Sequence, residues 1–436
     1  MMAKGNETDS LDRTARLAAI GVFVALVVDG MDLQMLALAL PSISKDLQVS
    51  TVMAGALSTY TLLGMGIGGV IAGRLSDRFG RIRVTWWAVF TFTVCTGLIA
   101  FCREYWQIAV MRFISGFGIA ALYSIGTLLA AEYVPSRIRT TVLGALQAGW
   151  SVGYIIAALL AVYILPGFGW RPLFLGAILP GAAALLLLRG VPDPPSWSAA
   201  RRDGVQGAAG PGAFTRLWRE PSLRRSFLLW TVTSIALQFG YYGANTWLPS
   251  YLVKDLGVNV QRMGWYVAGT YTMMVVGKVL TGYLADILGR RVVWIAAGLL
   301  TALYLPFLTW TATRQNVPYL LLAFGLLYGA PYAVNSTYMS ESFPASVRGT
   351  AVATSYNLGR IGSTLSPLLI GMAAMNYSIG LGIGLLGISY AVCALVPGVF
   401  IREKMFDPQA IEGAAAAQVP EADRTSFVVL RSGTMR

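Results

Sequence analysis

Two motifs in this chain each occur twice, and both recur at one spacing. Gly73-x-Leu75-x-Asp77-x-x-Gly80-Arg81 returns as Gly282-x-Leu284-x-Asp286-x-x-Gly289-Arg290, an offset of 209 residues. Glu132-x-x-Pro135-x-x-x-Arg139 returns as Glu341-x-x-Pro344-x-x-x-Arg348, again 209 residues on, and Gly116 and Tyr123 map to Gly325 and Tyr332 at the same offset. Independent motifs that share one offset mark two halves built to a common plan.

The stretches between these motifs are long and apolar. We read twelve spans, at 17–41, 52–73, 82–102, 105–133, 141–165, 170–189, 226–252, 263–285, 292–312, 317–340, 350–374 and 378–401. Each is of the length a helix needs to cross a bilayer, roughly 20 residues. Only 12% of the 436 residues are charged, against roughly 25% in soluble domains, which excludes a soluble enzyme. The predicted fold is an all-α membrane protein, with twelve transmembrane helices in two six-helix halves. An even number of crossings per half makes the halves parallel repeats about an axis along the membrane normal. Residues 1–189 form the first half and 226–401 the second. Between them, 190–225 is a central cytoplasmic loop with Pro192, Pro194, Pro195 and several Arg, and 402–436 is a disordered cytoplasmic tail.

Charge sets the orientation. Of the 33 Lys and Arg, 24 fall on the side of the two termini and six on the other, with Arg112, Lys278 and Arg360 inside spans. By the positive-inside rule both termini are cytoplasmic, in a cell inner (plasma) membrane. The same distribution accounts for the net charge of +13 without a nucleic-acid partner. The N-terminus carries Glu7, Asp9 and Asp12, and its first apolar run is too long for a signal peptide. No cofactor, metal site or disulfide is expected. The chain has no histidine, and Cys95 and Cys102 stand about 10 Å apart along one helix, with Cys393 in another apolar run. The expected assembly is a monomer.

The repeat breaks in span 1. Val28-Asp29-Gly30-Met31-Asp32-Leu33-Gln34 lies near its middle, and at offset 209 Asp29 maps to Gln238, Asp32 to Tyr241 and Arg112 to Leu321. Three residues apart, the two acids share a helix face. An acid at that depth costs about 2.5–3.5 kcal/mol on insertion scales and faces a cavity or a partner. Two close carboxylates resist ionising together and titrate jointly, which suits a site that loads and releases protons. Arg112 in span 4 is the expected coupling partner, either braced on Asp32 or traded to a substrate. Arg360, about ten residues into span 11, is the expected anchor for an anion, because its fork matches a carboxylate. Lys278 lies nearer the cytoplasmic end of span 8, where a lysine snorkels to the surface. Further cavity candidates are Tyr60, Trp150, Tyr241, Asn245, Tyr332 and Asn357. Gly64, Gly66, Gly68, Gly69 and Gly73 form a close-packing face on span 2.

The repeated loops read as gates. Gly73, Asp77, Arg78, Gly80, Arg81, Glu132 and Arg139 in the first half, and Gly282, Asp286, Arg290, Glu341 and Arg348 in the second, place acids near helix ends against Arg on the next helix. Such pairs can lock the halves in one state.

These residues resemble the major facilitator superfamily over almost the whole chain. The run Gly73-Arg74-Leu75-Ser76-Asp77-Arg78-Phe79-Gly80-Arg81-Ile82-Arg83 is similar to its cytoplasmic loop signature, and Arg112-x-x-x-Gly116-x-Gly118 to its second motif. The Gly-Pro pair of its antiporter motif is missing from Gln147-Ala148-Gly149-Trp150-Ser151-Val152-Gly153, which disfavours export. Asp29-Gly30-x-Asp32 resembles the aromatic acid:proton symporters, and the sialate and lactate symporters carry something similar. Gly169-Trp170-Arg171 and Pro192-Asp193-Pro194-Pro195-Ser196-Trp197 fit both groups. The resemblance implies proton-coupled uptake of a small organic acid anion, aromatic or otherwise unsaturated, by alternating access. The alternatives are a lactate- or sialate-type carboxylate symporter, or an exporter or antiporter. A solute sensor would need a signalling domain, for which the 35-residue tail is short.

Overall fold

Every regular element in the computed structural model, which describes residues 13–122, 136–193 and 213–401, is a helix. Spans 1 to 5 are Arg13–Asp46, Thr51–Phe79, Arg81–Ile99, Tyr105–Ala121 and Ser136–Phe168. Span 6 comes in two pieces, Arg171–Leu175 and Ile178–Arg189. Spans 7, 8 and 9 are Pro221–Ser250, Val260–Leu288 and Arg290–Thr311. Span 10 is Val317–Tyr328 and Ala330–Glu341, span 11 is Ala345–Leu358 and Arg360–Asn376, and span 12 is Ile379–Phe400. Among the described residues, nine helices are long and apolar enough to cross a membrane. Span 4, which carries Arg112, and spans 7 and 8, which carry Gln238, Asn245 and Lys278, are not among the nine. A surface helix, Ala213–Arg219, precedes span 7, which starts at Pro221 rather than at 226. The tail from 402 and residues 194–212 lie outside the described residues.

The repeat seen in the sequence extends to atomic contacts. A side chain at Gly116 would strike the Thr61 carbonyl, and one at Gly325 would strike the Thr270 carbonyl. Both pairs of positions differ by 209 residues. Span 2 opens on Ser50, whose side chain accepts from the Met53 N–H; span 8 opens on Asn259, which accepts from Arg262 N–H. The junctions at Gly80 and Gly289 have φ of 105° and 93°, a conformation that disfavours any side chain. Asp46 takes Arg171 (2.6 Å) and the Trp170 indole N–H (3.1 Å). Its counterpart Asp255 takes the Gly380 N–H (2.8 Å). Both acids thus tie the far end of the first span in their half to the start of the last, giving Trp170 and Arg171 a bracing role.

One register differs by a residue. A side chain at Gly153 would meet the Val27 carbonyl, whereas its counterpart Gly362 meets that of Ile235, an offset of 208 on the span 1 and span 7 side. A π-helical turn at Tyr251–Asp255 supplies the extra residue that restores 209 beyond it. Asp29 and Asp32 therefore correspond in space to Leu237 and Gly240, rather than to Gln238 and Tyr241. The second half still lacks the acids.

The halves close on the side opposite the termini. There Thr59 Oγ1 of span 2 donates to the Thr364 carbonyl of span 11 (2.8 Å). Gly55 faces the Pro367 carbonyl, and Gly264 of span 8 packs on Ala158 and Val162 of span 5. Within the first half, Gly64 and Gly68 of span 2 sit against Phe113 and Phe117 of span 4, as the small-residue face predicts, but Gly66 faces open space. Gly30, between the acids, faces the Trp150 carbonyl of span 5 with no room for a methyl. Gly30→Ala is expected to cost about 1–3 kcal/mol through overpacking and to lower the melting temperature of the purified protein by several degrees. Gly66→Ala should leave it unchanged.

Candidate functional site

Span 1 crosses the core with Asp29, Asp32 and Gln34 all fully buried. Asp32 is fully engaged. Arg112 reaches it from span 4 with both guanidinium arms, at 2.8 Å and 3.0 Å. The Thr96 hydroxyl of span 3 donates to the same carboxylate, and Phe174 lies under the guanidinium at 5.3 Å. Arg112 is itself fully buried, so its charge and that of Asp32 compensate each other inside the first half.

Asp29 is different. Neither of its oxygens has a hydrogen-bond partner among the described residues, and the Trp150 indole faces it without meeting bonding geometry. The charges that act on it are Asp32 on its own helix and Arg360 of span 11, in the other half. The two acids are thus not an equivalent pair: one is held in a fork, the other is bare.

A cavity of about 850 Å³ lies between the halves, opening on the side of the termini. Arg360, Trp150, Tyr241, Tyr332 and Asn357 line it, as do Lys278 and Gly282. Asp29 stands behind Trp150, one layer from the space. Arg360 is 8% exposed and donates to Asn357 Oδ1 (3.3 Å); no carboxylate lies within ion-pair distance of it among the described residues. It begins the second piece of span 11, immediately after the break at Gly359. Tyr241 stacks on Tyr328 and packs on Tyr332, both at 4.7 Å.

Two predicted cavity residues lie elsewhere. Tyr60 is half-buried beside Tyr105, and Asn245 is buried behind the wall. Asn245 bonds the Tyr271 hydroxyl, which also donates to Gln34 Oε1 of span 1 at 3.0 Å. This Gln34–Tyr271–Asn245 cluster joins the halves near the acids. Lys278 corrects the sequence reading. Rather than snorkelling to the surface, it stands in the cavity wall, because Gly329 at the break in span 10 leaves room for its stem.

The chain matches the Major Facilitator Superfamily over residues 22–261 and again over 239–433. It belongs to this superfamily. It is 44% identical to the cis,cis-muconate transport protein of Acinetobacter baylyi over 398 residues, covering 91% of this chain and 96% of the relative. It is 28% identical to the gentisate transporter of Corynebacterium glutamicum, over 89% of this chain and 88% of that one. Among solved structures, a D-xylose-proton symporter aligns with a TM-score of 0.74 at 20% identity, over 89% of this chain and 98% of that chain. That likeness establishes the shared superfamily fold.

In this superfamily member the predicted gate residues separate into those the structure describes and those it does not. Glu132 lies outside the described residues, as do the surroundings of Gly73 and the side chains of Asp77, Arg139 and Asp286. Gly80 and Gly289 form the sharp junctions given above, and Arg81 opens span 3. Asp193 accepts the Ile82 N–H (2.8 Å) at the same helix start. Arg78 lies over Phe79 at 5.3 Å. Arg290 Nε stands 3.7 Å from Glu341 Oε1 and its Nη1 donates to the Ala285 carbonyl, while Arg348 donates to that of Phe343. The Arg290–Glu341 pair joins spans 9 and 10 within the second half.

Proposed function

We propose that this protein carries a small unsaturated or aromatic carboxylate inward together with protons, by alternating access, as a monomer with both termini cytoplasmic. The observation that carries the reading is Arg360, a cation in the wall of the central cavity with no carboxylate partner among the described residues, facing the bare acid Asp29 across the interface. An anion supplies what Arg360 lacks, and a proton removes the cost of burying Asp29 as a lone charge. The closure opposite the termini and the opening beside them correspond to an inward-facing state. The named cargoes of the relatives, muconate and gentisate, are unsaturated carboxylates of a size the cavity holds.

Uptake of a labelled panel into proteoliposomes under an imposed pH gradient tests this. Unsaturated and aromatic carboxylates should accumulate, and neutral amides or esters should not compete. Arg360→Lys should weaken binding more than tenfold, because a point charge loses the bidentate fork. Transport of a neutral sugar or a cationic drug, with carboxylates ignored, would overturn the reading.

A further inference from the structure

The cavity wall is pseudo-symmetric in position but not in charge. At the offset of 209 residues, Gly69 corresponds to Lys278, Ala148 to Asn357 and Ser151 to Arg360, and all six line the cavity. Where the first half presents small or neutral groups, the second presents two cations and an amide. The space for the lysine is built in. In the first half Gly69 faces the Ala120 methyl. In the second, the residue equivalent to Ala120 is Gly329, and the Lys278 stem passes over it, close enough that a Cβ there would lie 2.9 Å from Cε. Where the first half has glycine facing alanine, the second has lysine facing glycine, and the missing methyl at Gly329 clears the path of the lysine stem.

Lys278 has no ion pair or hydrogen bond among the described residues, and no charged group acts on it. The Asp32–Arg112 pair is self-compensated and outside the cavity lining. The central site therefore sets two cations, Lys278 and Arg360, against one nearby acid, Asp29. Once Asp29 carries a proton, two positive charges remain in the cavity wall with no carboxylate paired to either among the described residues. A monocarboxylate would match one of them and leave the other.

We infer that the site is built for a dicarboxylate, with Arg360 holding one carboxylate and Lys278 the other, so that Lys278 sets the preference for two acidic groups over one. This rests on the reading of Arg360 as the anion anchor and deepens it. Lysine suits the second position, since its ammonium is a point charge on a flexible stem that can follow diacids of differing length, whereas the Arg360 fork fixes the first carboxylate.

Binding of cis,cis-muconate and of its monomethyl ester to the purified protein tests the inference, because the two share one skeleton and differ by one charge. The wild type should prefer the diacid at least tenfold. Lys278→Met should lose that preference by weakening the diacid at least tenfold while leaving the monoester within about twofold, and Lys278→Arg should keep it. An unchanged diacid-to-monoester ratio in Lys278→Met overturns the inference. So does a wild type that binds monocarboxylates equally well or better, a comparison that needs no variant and leaves the reading of Arg360 standing. A wild type that binds no organic acid removes both.

Discussion

Asp29→Asn is expected to leave the protein folded and able to exchange substrate down its gradient, yet unable to accumulate it against one. The variant exchanges a carboxylate that has no partner among the described residues for an amide of the same shape. A neutral amide is cheaper to bury than a lone charge, so the melting temperature should hold or rise. What is lost is the group proposed to carry the proton, which faces Arg360 from the opposite half. In proteoliposomes the wild type under a gradient of one pH unit can gain about tenfold accumulation per proton carried, or about 1.4 kcal/mol. The Asn variant should settle at equal concentrations inside and out, while counterflow of labelled substrate against unlabelled continues. Gradient-driven accumulation by Asp29→Asn at the wild-type level would remove Asp29 from the coupling, whatever its depth.

The fold was legible because two signals agreed independently. Apolar length marked the spans, and the offset of 209 residues between Gly73 and Gly282, and again between Glu132 and Glu341, marked the halves. The acids and Arg360 were legible for a related reason: in a helix that is apolar on every side, a charge far from both ends stands out. The same uniformity hid the rest. Nothing in the neighbourhood of Thr96 or Gln34 distinguishes a residue that reaches Asp32 or Tyr271 from one that packs against lipid, since periodicity assigns no face to an all-apolar helix. For Lys278, distance along the span does not give accessibility. Its destination depends on Gly329, which lies on another span and whose role appears only when the two are brought together. The one-residue slip between spans 1 and 7 has a local cause too, the π turn at Tyr251–Asp255. Such a turn adds a residue, and in a helix apolar on every side the added residue leaves no mark on the pattern.

Asp32→Asn should behave in the opposite way to Asp29→Asn, although the two acids are three residues apart. Asp32 receives both arms of Arg112 and the Thr96 hydroxyl, and acid and guanidinium are both fully buried. Removing one partner of such a pair leaves an uncompensated charge inside the first half, at a cost of about 3–5 kcal/mol. The single variant should lose thermal stability and yield along with transport, and Arg112→Gln should do the same from the other side. The double variant Asp32→Asn/Arg112→Gln puts two neutral amides where the ion pair was, and replacing both members of a buried pair is far milder than replacing one. Its melting temperature should return close to that of the wild type. Accumulation should not return with it if the pair opens and closes during the cycle, because two amides can still bond but can no longer exchange a charge. Recovery of stability without accumulation would place the pair in the coupling machinery next to Asp29. Recovery of both would make Asp32–Arg112 a brace for span 1, and would leave Asp29 to carry the proton alone.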